Sequence, residues 1–212
     1  MGGKHFRRND AFISSAVQDV QRLELACGLS EKSRLVDWGC GAGRLAFGVR
    51  ESLAGIESYH GIDVQPELIA WAQENLRAEN FQFTLAGAQN ERYNPNGYLA
   101  LSIPVEDNST DVFYAYSVFS HMTITDTAIY LRAIRNLLSS EGRAFVTCFV
   151  EEDVPDWSEN PPDYGPMTWQ GRLHCARFAR SYFEGLLHDA GLSVQDFEYG
   201  QETDGQSLYI LG

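Results

Sequence analysis

The chain has 212 residues, 44% of them hydrophobic and 21% charged, and this ordinary globular usage excludes a collagen-like, disordered or low-complexity protein. Against 16 Lys and Arg stand 29 Asp and Glu, a formal net charge of −13. That sign argues against nucleic acid and anionic membrane surfaces as partners, because both attract proteins through basic groups.

The length predicts one domain over residues 1–212, since domains run roughly 100–200 residues. Apolar runs such as 144–150 are far shorter than a bilayer requires. The start of the chain carries Lys4, Arg7 and Arg8 with no apolar stretch behind them, unlike a secretory signal. Cys27, Cys40, Cys148 and Cys175 lie far apart without a C-x-x-C pair, which predicts neither a disulfide framework nor a zinc site. A cytoplasmic protein without a bound metal is the expectation.

In chain order, Ile13, Val17 and Val20 predict an amphipathic helix over 11–27, ended by Gly28. Leu35–Trp38 reads as a strand, 44–53 as a helix and 59–63 as a second strand. Pro66 suits the first turn of a helix continued by Leu68, Ile69, Ala72 and Leu76. Strands over 81–85 and 111–116 precede a helix marked by Leu131, Ile134, Leu137 and Leu138, with Gly142 as its stop. A strand over 143–150, a helix from Phe183 to Ala190 and a closing pair over 192–199 and 206–211 complete the pattern. Alternating strands and helices predict an α/β, Rossmann-like three-layer sandwich. Its seven-stranded, mostly parallel sheet ends in a C-terminal antiparallel hairpin. Segments 86–108 and 151–176, the second rich in proline, read as long loops, and such loops are usually functional.

The densest chemical signal is Asp37-Trp38-Gly39-Cys40-Gly41-Ala42-Gly43, between a strand and a helix. Glycines there permit a tight turn and close approach of a ligand to the backbone. Asp63 ends the next strand, twenty residues beyond Gly43, where a carboxylate can accept ribose hydroxyls. Position and spacing point to a nucleoside cofactor.

An acid followed by Gly39-x-Gly41-x-Gly43 departs from the dinucleotide G-x-G-x-x-G spacing and resembles motif I of the class I S-adenosylmethionine-dependent methyltransferases. Ile103-Pro104-Val105-Glu106-Asp107-Asn108-Ser109-Thr110-Asp111-Val112, Tyr116-Ser117-Val118-Phe119-Ser120-His121-Met122 and Ser139–Arg143 are similar to the family's later motifs, nearest its small-molecule "type 11" branch. The resemblance spans about residues 11–211. It implies S-adenosylmethionine as cofactor, with S-adenosylhomocysteine as product. Asp37, Gly39, Cys40 and Gly41 would lie along its methionine part, Asp63 at the ribose, and Val64, Gly87 and Ala88 around the adenine. Ser117 and Val118 would contact it from the fourth strand's end. The family often carries an acid where Gly87 stands, and this is the chain's departure from the pattern.

The implied activity is methyl transfer to an O or N atom of a small-molecule acceptor. His121, past the fourth strand, is the candidate base, since an unperturbed histidine titrates near ~6.5. Residues 1–28 (helix or lid) and 151–176 (substrate-side loop, with His174 and Trp169) are expected to contact the acceptor. Asn160-Pro161-Pro162-Asp163-Tyr164 resembles the N-P-P-Y signature of nucleic-acid and protein amide methyltransferases, but Asp163 interrupts it and it follows the fifth strand; it reads as a proline-rich loop. Two other readings stay open: an NAD(P)-dependent oxidoreductase and a non-catalytic cofactor-binding or interaction module.

Overall fold

The computed structural model describes residues 9–98 and 102–212; the basic start of the chain and part of the 86–108 loop lie outside the described residues. The elements follow the expected alternation: α1 (Asn9–Cys27), β1 (Arg34–Trp38), α2 (Arg44–Ser52), β2 (Ser58–Asp63), α3 (Pro66–Asn75), β3 (Phe81–Leu85), β4 (Thr110–Ala115), α4 (Ile124–Leu137) and β5 (Leu138–Glu151). After β5 come β6 (Trp157–Glu159), β7 (Ala176–Ala179), α5 (Arg180–Asp189), β8 (Val194–Glu198) and β9 (Ser207–Leu211).

Strands β3-β2-β1-β4-β5 pair in parallel, β9 pairs antiparallel with β5, and β8 antiparallel with β9. Side chains alternate across the sheet, as the pleat requires. Val112 and Tyr114 join Val20, Leu45 and Ile69 beneath α1, α2 and α3, whereas Phe113 and Ala115 join Leu131, Ile134 and Phe183 beneath α4 and α5. This is the three-layer arrangement read from the alternation of elements.

Three local outcomes differ from the periodicity reading. In α1 the face turned inward is Ala16, Val20 and Leu23, while Ile13 is 44% exposed. The cause is a close helix crossing: a Cβ on Gly48 of α2 would lie 2.3 Å from the carbonyl oxygen of Ala16. Helix α4 ends at Leu137, so Gly142 is not its stop. The residues around Gly142 instead form an irregular step in β5, where the register shifts between Thr110↔Leu138 and Val112↔Arg143.

The third difference is the 151–176 segment, which is only partly a loop. Strand β5 runs on past the end of β4, and its residues 149–151 pair with β7, which pairs antiparallel with β6. These two short strands bring the sheet to nine. Asn160 ties the intervening chain together. Its N–H donates to Cys175 O (2.7 Å), its side-chain amide donates to Gly171 O (2.6 Å), and its Oδ1 accepts from Cys175 N–H (2.9 Å). The N-P-P segment therefore begins with a loop-anchoring asparagine.

Candidate cofactor and acceptor site

Strands β1 and β4 lie side by side at the centre of the sheet, yet the chain leaves β1 for α2 on one face and β4 for α4 on the other. That reversal opens a crevice at the carboxyl ends of the strands, where ligands of open α/β sheets bind. Gly39 and Val118 meet in it: a Cβ on Gly39 (φ 82°) would lie 2.5 Å from Val118 Cγ2. Gly41 (φ 55°) is the opposite case, because nothing lies within 4 Å of where its Cβ would be. Both left-handed conformations suit glycine. One closes the turn on β4, and the other leaves bare backbone facing open space. Such a cradle fits the backbone-facing part of an S-adenosylmethionine molecule.

The acids around this loop are held differently. Asp63 is buried, with Oδ2 accepting the Gly41 N–H (2.8 Å) and Oδ1 the Gln65 N–H (2.9 Å). It thus binds the glycine loop to the start of α3. Each carboxylate oxygen has a second lone pair left for a ligand hydroxyl. Asp37 is 3% exposed and accepts the Tyr59 hydroxyl proton at 2.5 Å on the α1–α3 side of the sheet. Burial pushes its carboxyl up to about 7, against the pull of Tyr59 and Arg44. Arg44, a cation at a helix start where the dipole disfavours it, has its carboxylate in Asp19 of α1. Tyr114 donates to the same Asp19 oxygen at 2.7 Å. Burial also raises the Cys40 thiol well above its ordinary range, which leaves it a neutral small residue inside the loop.

Past β3, Gly87 and Ala88 meet a tyrosine that the motif reading did not identify as a site residue. A Cβ on Gly87 would fall 2.1 Å from Tyr98 Cε1, and the Tyr98 N–H donates to Gly87 O (2.9 Å). The missing acid therefore has a steric reason: the Tyr98 ring, 66% exposed, occupies the space beside residue 87. Gln89 turns away and donates to Pro95 O (3.3 Å). Val64 packs against the α4-side core. At the end of β4, Ser117 adopts φ 58°. Its N–H donates to Thr147 Oγ1 (2.7 Å) and its Oγ accepts from Gln206 Nε2 (2.8 Å). A non-glycine residue in this conformation stores strain and persists only when its surroundings over-determine it.

His121, His174 and Trp169 come together beside β4. His121 closes a 3₁₀ turn, Phe119–His121, with Nδ1 2.9 Å from Leu173 O and Nε2 3.3 Å from the Tyr93 hydroxyl. A carbonyl only accepts, so Nδ1 carries the proton and the Nε2 lone pair faces the Tyr93 hydroxyl, which donates to it. Burial lowers His121 to about 4, with Arg92 and His174 pressing the same way, so the ring is neutral at pH 7. His174 is also lowered, mainly by burial and then by Arg92. Its Nδ1 accepts the Gln170 N–H (2.9 Å), and its ring meets Trp169 edge-on at 5.3 Å. Among the described residues no group of three or more His, Cys, Asp or Glu is placed to hold a metal ion.

Sequence reasoning missed Asp19, Tyr59 and Tyr98 as partners of this region. Asp19, on the inward side of an otherwise apolar stripe, carried the only local signal. The partners of Tyr59 and Tyr98 depend on contacts across strands and loops.

A family model described as a methyltransferase domain matches residues 29–191. Among solved structures, the chain is similar to the 4+2 cyclase SpnF, at 17% identity over 93% of this chain and 81% of that one, with TM-score 0.67. It is similar to a SAM-dependent methyltransferase of Leishmania major, at 14% identity over 96% and 74%, with TM-score 0.67. A SAM-dependent methyltransferase from Mesorhizobium loti matches at 14% identity over 94% and 97%, with TM-score 0.61.

Proposed function

The chain belongs to the class I S-adenosylmethionine-dependent methyltransferases, and from that premise we propose that it methylates an oxygen or nitrogen atom of a small-molecule acceptor. The observation that carries the acceptor class is the meeting of Tyr93, His121, Trp169 and His174 from three separate connections in one cluster beside β4. Imidazole and aromatic groups supplied by the chain's own loops would give a small molecule both flat contact and a proton acceptor. A nucleic acid would call for a basic surface, and the net charge is −13.

In this reading Gly39, Cys40 and Gly41 hold the methionine part by backbone, with Asp37 beneath them and Asp63 accepting from the ribose. Val64, Gly87 and Ala88 surround the adenine, whose flat face rests on Tyr98 in place of a hydrogen bond to an acid. Ser117 and Val118 form the wall on the β4 side. The cofactor, when bound, supplies an activated methyl group on a good leaving group. The chain's own work is alignment, which can supply up to about 7–11 kcal/mol.

His121 is oriented by Leu173 and offers Nε2 to the acceptor as proton acceptor. Its low basicity suffices for a hydroxyl acceptor, because an oxygen that gains a methyl group before losing its proton is strongly acidic. The whole chain acts as one domain, with α1 and residues 151–176 on the acceptor side. Four cysteines without a disulfide suit a cytoplasmic location.

The test is calorimetry with S-adenosylhomocysteine followed by methyl transfer from labelled S-adenosylmethionine to a panel of small alcohols, phenols and amines. Saturable cofactor binding with transfer to a panel member is expected; transfer only to RNA, DNA or protein would overturn the acceptor class. His121→Ala is expected to lower kcat by about 10²-fold or more with cofactor affinity unchanged.

A further inference from the structure

Among the described residues two arginines, Arg92 and Arg177, have an Nε–H buried without an acceptor, and Arg92 is the one whose charge acts on both His121 and His174. Arg22, Arg34, Arg44, Arg172 and Arg180 each have an acidic partner. Arg92 has none among the described residues, and its Nε–H is shut off from solvent without a hydrogen-bond acceptor. Glu91, its neighbour in sequence, is already engaged: Arg172 holds it at 2.7 Å, together with Glu159 at 3.2 Å. What fixes Arg92 is a 3.4 Å contact from Nη1 to Gln170 O and the Tyr93 ring, whose centroid lies 5.4 Å from Cζ. A partly buried cation with an unsatisfied donor costs free energy unless something supplies a counter-charge.

Its position says what that is. Arg92 adjoins Tyr93, which touches His121, and its charge reaches both His121 and His174. We propose that Arg92 binds an oxyanion, a carboxylate or phosphate, carried by the methyl acceptor, with Tyr93 and His174 flanking it. The acceptor is then a small acid or phosphate ester, held by its anionic end while its O or N atom faces the cofactor. The planar guanidinium fork matches both oxyanions by paired hydrogen bonds. This identification of the acceptor rests on the methyltransferase reading of the site.

The groups facing the two imidazoles are Arg92, each other, the Tyr93 hydroxyl on His121 and Asp204 near His174. A bound anion offsets Arg92, so it raises the titration midpoints of both rings. Imidazole NMR of the protein saturated with S-adenosylhomocysteine is recorded during titration with sodium benzoate, with inorganic phosphate and with neutral benzamide, at constant ionic strength. Benzoate or phosphate is expected to move the His121 and His174 signals and raise their midpoints; the one that binds more tightly identifies a carboxylate or a phosphate ester.

Arg92→Ala is expected to weaken that response about tenfold or more, and Arg92→Lys to recover part of it, with cofactor affinity unchanged. An equal response to benzamide, an undiminished response in Arg92→Ala, or no response to either anion would overturn the proposal. Failure of the wild-type protein to bind S-adenosylhomocysteine would instead sink the methyltransferase reading. The anion titration without cofactor still reports separately on Arg92.

Discussion

Polar groups at the carboxyl ends of β1 and β2 are closed on one another, whereas those contributed by the connections after β3 and β4 include groups without a close partner. In the first region the Gly39 and Cys40 N–H groups both donate to Ile62 O, the Gly41 N–H to Asp63, and the Tyr59 hydroxyl to Asp37. In the second, among the described residues, Arg92 Nε lacks a partner and His121 Nε2 has a 3.3 Å contact with a tyrosine hydroxyl. A site preorganised by backbone geometry suits a ligand that never changes. Side chains on loops suit a ligand that differs from one relative to the next, and SpnF shows that the fold hosts a protein named as a cyclase.

The contrast is most severely tested at Gly39. Gly39→Ala adds a left-handed alanine and a 2.5 Å clash with Val118, so a stability loss of about 2–4 kcal/mol and collapse of cofactor binding are expected. Denaturant melts check the first and calorimetry the second. Partial rescue in Gly39→Ala/Val118→Ala marks the clash itself, and a tolerated Gly39→Ala would show that the loop is not closed on β4.

Next in size is Asp63→Ala, which removes the acceptor for the Gly41 and Gln65 N–H groups. Loss of hydrogen bonds to a charged group predicts S-adenosylhomocysteine affinity weaker by about 10–100-fold. Affinity within twofold of wild type would remove Asp63 from the cofactor site.

The last test reads a slope with pH. With Asp37 raised to about 7 in the folded protein and near ~3.9 unfolded, the folded state holds its proton more tightly. Its stabilising contribution is complete below about pH 4 and is lost as pH rises through 7. Asp37→Asn is therefore expected to gain stability relative to wild type as the pH increases between those values. Thermal melts in parallel buffers read the difference, and a pH-independent difference would mean that Asp37 is ionised throughout.

The glycine loop and Asp63 were legible because their chemistry is local: a tight turn needs glycine at set places, and a strand's length sets the distance to the next acid. Gly87 was legible only as a departure, and its cause, the Tyr98 ring, came from a loop closing back eleven residues later. His121 is singled out by position, but its basicity is not legible there. A free histidine titrates near ~6.5, and what lowers this one to about 4 is burial in the folded chain, helped by the charges of Arg92 and His174. The 151–176 segment read as open because prolines mask a short strand, and β7 forms only where β5 outruns β4.

By itself the sequence determined the order of strands and helices apart from β6 and β7, the glycine turn between β1 and α2, and the acid that ends β2. Each is written in periodicity or spacing within a few tens of residues. Tertiary structure alone joined Asp37 to Tyr59, Arg44 to Asp19, and Arg92 to the two histidines, leaving it without a carboxylate among the described residues. Those outcomes depend on which loops the sheet topology brings to one edge, and burial there raises Asp37 and lowers His121 and His174.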